Sequence, residues 1–173
     1  MQHDSEFCVS AIMEREEIQH GPWRVPRWRL LSFVAGEAME RDGARAQLIH
    51  DEPGREQWLW TGFRVRLYRD CSESYWYNLV GKQPSLFLIC QHDPDGKVIP
   101  LAVTANYDEA GAHMEADDEV FSAPIPPEMH RWLEQYVMDN FQPQPRKTRK
   151  RKNWSEEEPE RAQTAPRVPG RPR

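Results

Sequence analysis

Cysteine is scarce in this chain and poorly placed for chemistry: Cys8, Cys71 and Cys90 are far apart and odd in number. That excludes a disulfide framework and a Cys-x-x-Cys redox or zinc motif, and it fits reduced thiols in a cytoplasmic protein. Long apolar runs are missing too. No stretch approaches the ~20 residues that span a bilayer, and Met1-Gln2-His3-Asp4-Ser5-Glu6 lacks the positive and apolar regions of a secretory signal. A cytoplasmic protein without membrane association is expected. The nine glycines are scattered, with neither a Walker nor a dinucleotide-binding spacing. There is no Gly-x-Ser-x-Gly elbow, and no cysteine has a local sequence that suggests activation. No catalytic residue and no resident cofactor is therefore expected, and the chain reads as a non-enzyme more readily than as an enzyme.

Aliphatic runs stop after Phe141. Gln142–Arg173 holds ten Lys/Arg against four Glu, a net +6, while the preceding residues hold 13 against 24, a net −11. This composition predicts a globular domain over 1–141 and a disordered, basic Pro/Arg/Lys/Glu-rich tail over 142–173. The tail opens with Arg146, Lys147, Arg149, Lys150, Arg151 and Lys152, six basic residues among seven, followed by Trp154. Charge to steer and an indole to anchor are what a short docking segment needs, so these residues are the expected contact for a protein partner. A tail that only solubilises is the alternative. The net acidic balance of the whole chain disfavours a nucleic-acid partner.

Within 1–141 the apolar spacing reads mainly as strands. Phe7–Met13 is short, apolar and partly β-branched. Trp28, Leu30, Ser32 and Val34 alternate after Pro26, which places that strand at an edge or starts it there. Residues 36–55 are polar and poorly patterned, with Asp42-Gly43 and Pro53-Gly54 as turn signals, and read as a mobile loop. Phe63, Val65 and Leu67 alternate with Arg64, Arg66 and Tyr68, and Ser74–Val80 reads as the next strand. Ser85–Cys90 is continuously apolar, as in a strand buried on both faces. His92–Lys97 contains Asp95-Gly96, which predicts a tight hairpin turn into a strand over Val98–Thr104. Tyr107–His113 suits a short helix and Val120–Ile125 a short edge strand. Met129, Trp132, Leu133, Tyr136, Val137 and Phe141 form one helical stripe after Pro127. The resulting fold class is α+β: one strongly bent antiparallel sheet or partly closed barrel of about six strands, with a C-terminal amphipathic helix.

Acidic and histidine clusters exist, but none has the spacing of a metal site. Asp117-Asp118-Glu119 lacks the spaced ligands and glycine of an EF-hand loop. His92-Asp93-Pro94-Asp95 and His113-Met114-Glu115 each offer two ligands where a structural zinc needs about four, so no metal is expected. Seven tryptophans are many for 173 residues. Trp58 and Trp60 share the strand parity of Arg64 and Arg66, which makes these four a candidate ligand face, with stacking and cations for a nucleotide, pterin or single strand. The alternative is an aromatic core with an arginine rim.

Several motifs together are distinctive: Met13-Glu14-Arg15, Trp23, Trp28, Trp60-Thr61-Gly62-Phe63, Leu67-Tyr68-Arg69-Asp70, Tyr75-Trp76-Tyr77-Asn78-Leu79, Pro84-Ser85-Leu86-Phe87, Pro100-Leu101-Ala102-Val103-Thr104 and Lys150-Arg151-Lys152-Asn153-Trp154. Over about residues 7–154 the chain resembles a bacterial family of uncharacterised short proteins, a domain of unknown function. The resemblance implies an accessory protein of molybdenum-dependent formate dehydrogenases, whose genes tend to neighbour those of the family, and a molybdoenzyme subunit or maturation factor as partner. It also implies an alternative, a molybdenum-cofactor or nucleotide-handling protein of the molybdopterin-guanine dinucleotide biosynthesis type. Residues 7–30 contain none of the glycine-rich loop that such a nucleotidyltransferase would carry, and the resemblance assigns no site residue.

Overall fold

The computed structural model of the chain describes residues 5–36 and 45–143. The chain divides into two units, Met1–Pro143 and Gln144–Arg173. The second unit, with Arg146–Lys152 and Trp154, lies outside the described residues, as do 1–4 and 37–44.

Two long hairpins make the first sheet. Strands β1 (Glu6–His20) and β2 (Trp23–Ala35) turn at Gly21, whose φ of 61° suits glycine; β3 (Arg45–Glu52) and β4 (Arg55–Arg66) turn through Pro53-Gly54. The order is β2-β1-β4-β3, and every pairing is antiparallel. A 3₁₀ turn at Arg69–Cys71 leads into α1 (Ser72–Val80). The second sheet, order β6-β5-β7, comprises β5 (Ser85–His92), β6 (Val98–Thr104) and β7 (Glu119–Pro124). Helices α2 (Tyr107–Glu115) and α3 (Pro127–Asn140) complete the domain.

The α+β class holds, with two antiparallel sheets and seven strands in place of a single bent sheet of about six; no closed barrel occurs among the described residues. The continuous apolar run of β5 explains the second sheet. Leu86, Leu88 and Cys90 join the core shared with Val9, Ala11, Met13, Trp60 and Phe63 of the first sheet. The alternate residue Phe87 meets Tyr107 of α2 edge-on, with centroids 5.9 Å apart, so β5 is covered on both faces. On α3, Met129, Leu133, Tyr136 and Val137 are buried as the stripe predicts, while Trp132 and Phe141 pack partly buried against the core.

Two segments differ from their sequence reading. Ser74–Val80 is the body of α1, not a strand: Ser72, Tyr75 and Asn78 line one buried helical face. Tyr75 meets Tyr136 of α3 edge-on at 6.3 Å, and Trp76 packs on Phe141 at 5.7 Å, so tertiary packing overrides the β-propensity of Tyr-Trp-Tyr. Residues 45–52, read as loop, pair with β4 as an edge strand whose residues are all exposed. The predicted Asp-Gly turn is present. Asp93 Oδ1 accepts from the backbone N–H groups of Asp95 (2.9 Å) and Lys97 (2.8 Å), and Gly96 takes a φ of 78°.

The two sheets differ greatly in length. The 15 residues of β1 extend roughly 50 Å, whereas the eight of β5 extend roughly 27 Å. The first sheet therefore continues past the second layer. Beyond Met13 on β1, before Phe33 on β2, before Trp60 on β4 and along all of β3, no apolar side chain is buried. A backbone bond from Glu17 N–H to Gly54 O, 2.9 Å, ties the two hairpin tips together at the far end.

Candidate functional site

In the sheet extension only Trp28, Leu30 and Trp58 pack, partly buried, against the edge of the core, and further out the sequence supplies charge instead. On one face, Glu14 of β1 stands directly between Arg29 of β2 and Gln57 of β4. Glu14 accepts from both side chains, Arg29 and, at 3.1 Å, Gln57. One register step outward, Glu16 stands between Arg27 and Arg55 and binds them at 2.6 and 3.4 Å. Opposite charges directly across antiparallel strands stabilise the pairing.

Glu14 is only 3% exposed, and among the described residues its hydrogen-bond partners are the side chains of Arg29 and Gln57. Its carboxyl is held below the usual 4.5, first by the hydrogen bond from Arg29, then by that from Gln57, against the opposing effect of burial. Glu16 shifts the same way through Arg27. A depressed carboxyl stabilises the fold above its unfolded-state value and loses that contribution as pH falls through the folded value. Glu14→Gln is therefore expected to flatten the fall of melting temperature from about pH 5 downwards, measured by circular dichroism. Glu14→Ala at pH 7 is expected to cost about 1–2 kcal/mol, a modest figure because the stranded Arg29 is half exposed and can return to water.

The opposite face of the extension is aromatic. Trp28 of β2 pairs across from Arg15 of β1, which pairs across from Glu56 of β4; Trp58 lies one register step inward, opposite Met13. The β5–β6 turn reaches over this face and places Lys97 Nζ 5.2 Å from the centre of the Trp58 ring. Trp58 Nε1 donates to Glu56 Oε2 at 3.2 Å, and Arg15 lies 3.9 Å from Glu56 Oε1. Together with Pro26, Asp95 and Gly96 these residues enclose a cleft of about 300 Å³.

The four residues of the predicted ligand face do not share one face. Val9 pairs with Phe63 and Ala11 with Trp60, so Ser10 alone stands opposite Thr61 and Gly62. This β-bulge, with Gly62 at a φ of 89°, reverses the alternation along β4. Trp58 and Trp60 consequently point to the same side as buried Phe63 and Val65, with Trp60 in the core, whereas Arg64 and Arg66 lie exposed on the other side. There both arginines pair with Glu6, at 3.6 and 2.6 Å. Trp58 keeps aromatic and cationic neighbours, but they are Trp28, Arg15 and Lys97. A glycine inside a strand was the one signal for the reversal; nothing in the sequence brings Lys97 to Trp58, because that contact joins two sheets.

Two of the thiols and two of the histidines have structural surroundings among the described residues. Burial pushes the Cys90 thiol up to about 12, and burial together with the Asp70 carboxylate raises that of Cys71. His92 Nε2 lies 2.9 Å from Glu119 and His113 Nδ1 2.7 Å from Asp118, two separate pairs. Among the described residues no helix is long and apolar enough to cross a membrane.

Fold and surface define a two-sheet α+β domain whose longer sheet extends past the shorter one, charged on one face and aromatic on the other. A family model described as a protein of unknown function (DUF3305) matches residues 8–152, and the chain belongs to that family. No curated protein and no solved structure matches it.

Proposed function

We propose that this protein is a non-enzymatic accessory protein that acts by binding a protein partner. The observation that carries this reading is the sheet extension. Its edge strand β3 is exposed along its whole length, Leu48 and Ile49 included, and Trp23 at the tip of β2 is 70% exposed. A free strand edge and exposed apolar side chains are what β-strand addition uses, and a chain that kept them without a partner would risk aggregation. The family resemblance points to a subunit or maturation factor of a molybdenum-dependent formate dehydrogenase as the partner.

The test is a tagged pull-down from the native host at mild salt with the full chain, a 1–141 truncation, and a Leu48→Lys/Ile49→Lys variant of the full chain. A dehydrogenase subunit or maturation factor retained by the full chain and lost with the β3 variant supports the reading. Loss with the truncation as well would add the tail to the contact. Retention by all three forms counts against β3 and the tail alike.

A second reading, a molybdenum-cofactor or nucleotide-handling protein, is favoured by a different observation. Trp58, Trp28, Arg15 and Lys97 line a cleft of small-molecule size.

A further inference from the structure

The cleft between the sheet extension and the β5–β6 turn is, we propose, a binding site for a planar bicyclic aromatic anion, the class to which purine nucleotides belong. This deepens the ligand-handling reading and is independent of the partner-binding one.

Three features of the cleft carry the inference. The first is its walls. Trp28 and Trp58 stand on the two strands that flank β1, so their backbones are separated by two strand spacings, roughly 10 Å, with Arg15 on the strand between them. That spacing leaves room for a flat ring laid against an indole, a contact that tolerates any aromatic with a π-face. The second is size. A cleft of about 300 Å³ is about twice the ~150 Å³ that encloses one benzene ring, which suits a fused pair of rings better than a single one.

The third feature is charge, and it sets the sign of the ligand. Lys97 Nζ already occupies the cationic position over Trp58, and among the described residues no carboxylate lies within ion-pair distance of it. Arg15 has only Glu56, at 3.9 Å, and that carboxylate is also held by Trp58 Nε1–H. A ligand anion reaching the cleft meets the Lys97 ammonium, which has no carboxylate within ion-pair distance among the described residues, and the Arg15 guanidinium, whose one such partner, Glu56, stands at 3.9 Å. Glu56 and Asp95 are the carboxylates of the lining. A ligand cation would instead have to displace Lys97 from the indole. A second depression of the extension, about 740 Å³ around Glu16, Glu17, Arg24 and Arg55, has no aromatic wall among the described residues. Glu16 and Arg55 there are already paired within the ladder.

The experiment uses the full chain with ¹⁵N-labelled tryptophan, whose side-chain N–H resonances for Trp28 and Trp58 are assigned from Trp28→Phe and Trp58→Phe. AMP is the probe, with adenosine, inorganic phosphate and tetramethylammonium as separate titrants. The expected result is saturable shifts of Trp28 and Trp58 with AMP, much weaker effects of adenosine or phosphate alone, and affinity reduced about tenfold by Trp28→Leu. Lys97→Met, at an exposed turn position, is expected to weaken AMP binding several-fold with little change in melting temperature. AMP binding that neither substitution alters would place the ligand elsewhere and overturn the cleft while leaving the ligand-handling reading standing. No shift with AMP at millimolar concentration would overturn both. Saturation by tetramethylammonium and not by AMP would overturn the assignment in favour of a cation cage.

Discussion

Replacing Asn78 by alanine is expected to remove about 2–5 kcal/mol of stability, among the largest effects of any single polar substitution in the domain. The side chain of Asn78, buried on α1, joins three segments of chain. Its Nδ2 donates to the carbonyls of Ser85 (2.7 Å) and Ala105 (2.9 Å), and its Oδ1 accepts from Ser85 N–H at 3.0 Å. Ser85 begins β5 and Ala105 follows β6, so one amide holds α1 against the second sheet. Alanine would leave three backbone groups without those partners, and the buried carbonyl of Ala105 has no route to water. Asn78→Asp is the informative companion. It keeps the acceptor for Ser85 N–H but faces a carboxylate with two carbonyls, so it is expected to be at least as destabilising as alanine. Urea denaturation followed by tryptophan fluorescence checks both, the expected signature being a lower midpoint with an unchanged slope. A loss below about 1 kcal/mol would show that water replaces the amide.

Leu88→Ala is expected to cost about 2–5 kcal/mol by the same measurement, through lost burial plus the cavity left behind. Leu88 is 0% exposed, lies in the middle of β5, and faces the first sheet from the centre of the second. Both neighbouring strands and both layers fix its surroundings, so little collapse into the cavity is possible. For a domain at the low end of the usual ~5–15 kcal/mol, a loss at the upper end of the range expected for Leu88→Ala would leave a substantial unfolded fraction. Leu101→Ala on β6, where the leucine is 48% exposed, is the control and is expected to change stability by less than about 1 kcal/mol.

How far the sequence shows this fold depends on whether each segment has a core to face. The α3 stripe, the apolar run of β5 and the Asp95-Gly96 turn were legible because burial writes a period or a turn residue into the chain. Strand β3 was not. It is exposed on all its residues, so no face alternates, and only its Pro53-Gly54 turn left a trace. Strand β1 was seen only from Phe7 to Met13, where it meets the core, and not through Glu14–His20, where cross-strand ion pairs replace burial. Helix α1 was misread because its buried face is built from Ser72, Tyr75 and Asn78, two polar residues and a β-former. At the candidate site, Trp58 was found and its neighbours were not. A bulge at Gly62 sends Arg64 and Arg66 to the other face, and the cations that do approach Trp58 come from β1 and from the distant β5–β6 turn.

The proposed docking role of the extension rests on what holds it together. A sheet held largely by charge pairs leaves the β3 edge exposed, while the two-sheet core anchors the extension at one end. The ladder on one face keeps the strands in register, and the opposite face carries the indoles.

The most direct test of that claim is amide hydrogen exchange on the full chain, alone and with purified formate dehydrogenase from the native host. If the extension is the docking surface, amides of residues 45–52 and 23–29 slow on adding the enzyme while those of β5 stay as they were. Unchanged exchange in both segments, or protection confined to residues outside the extension, would contradict it.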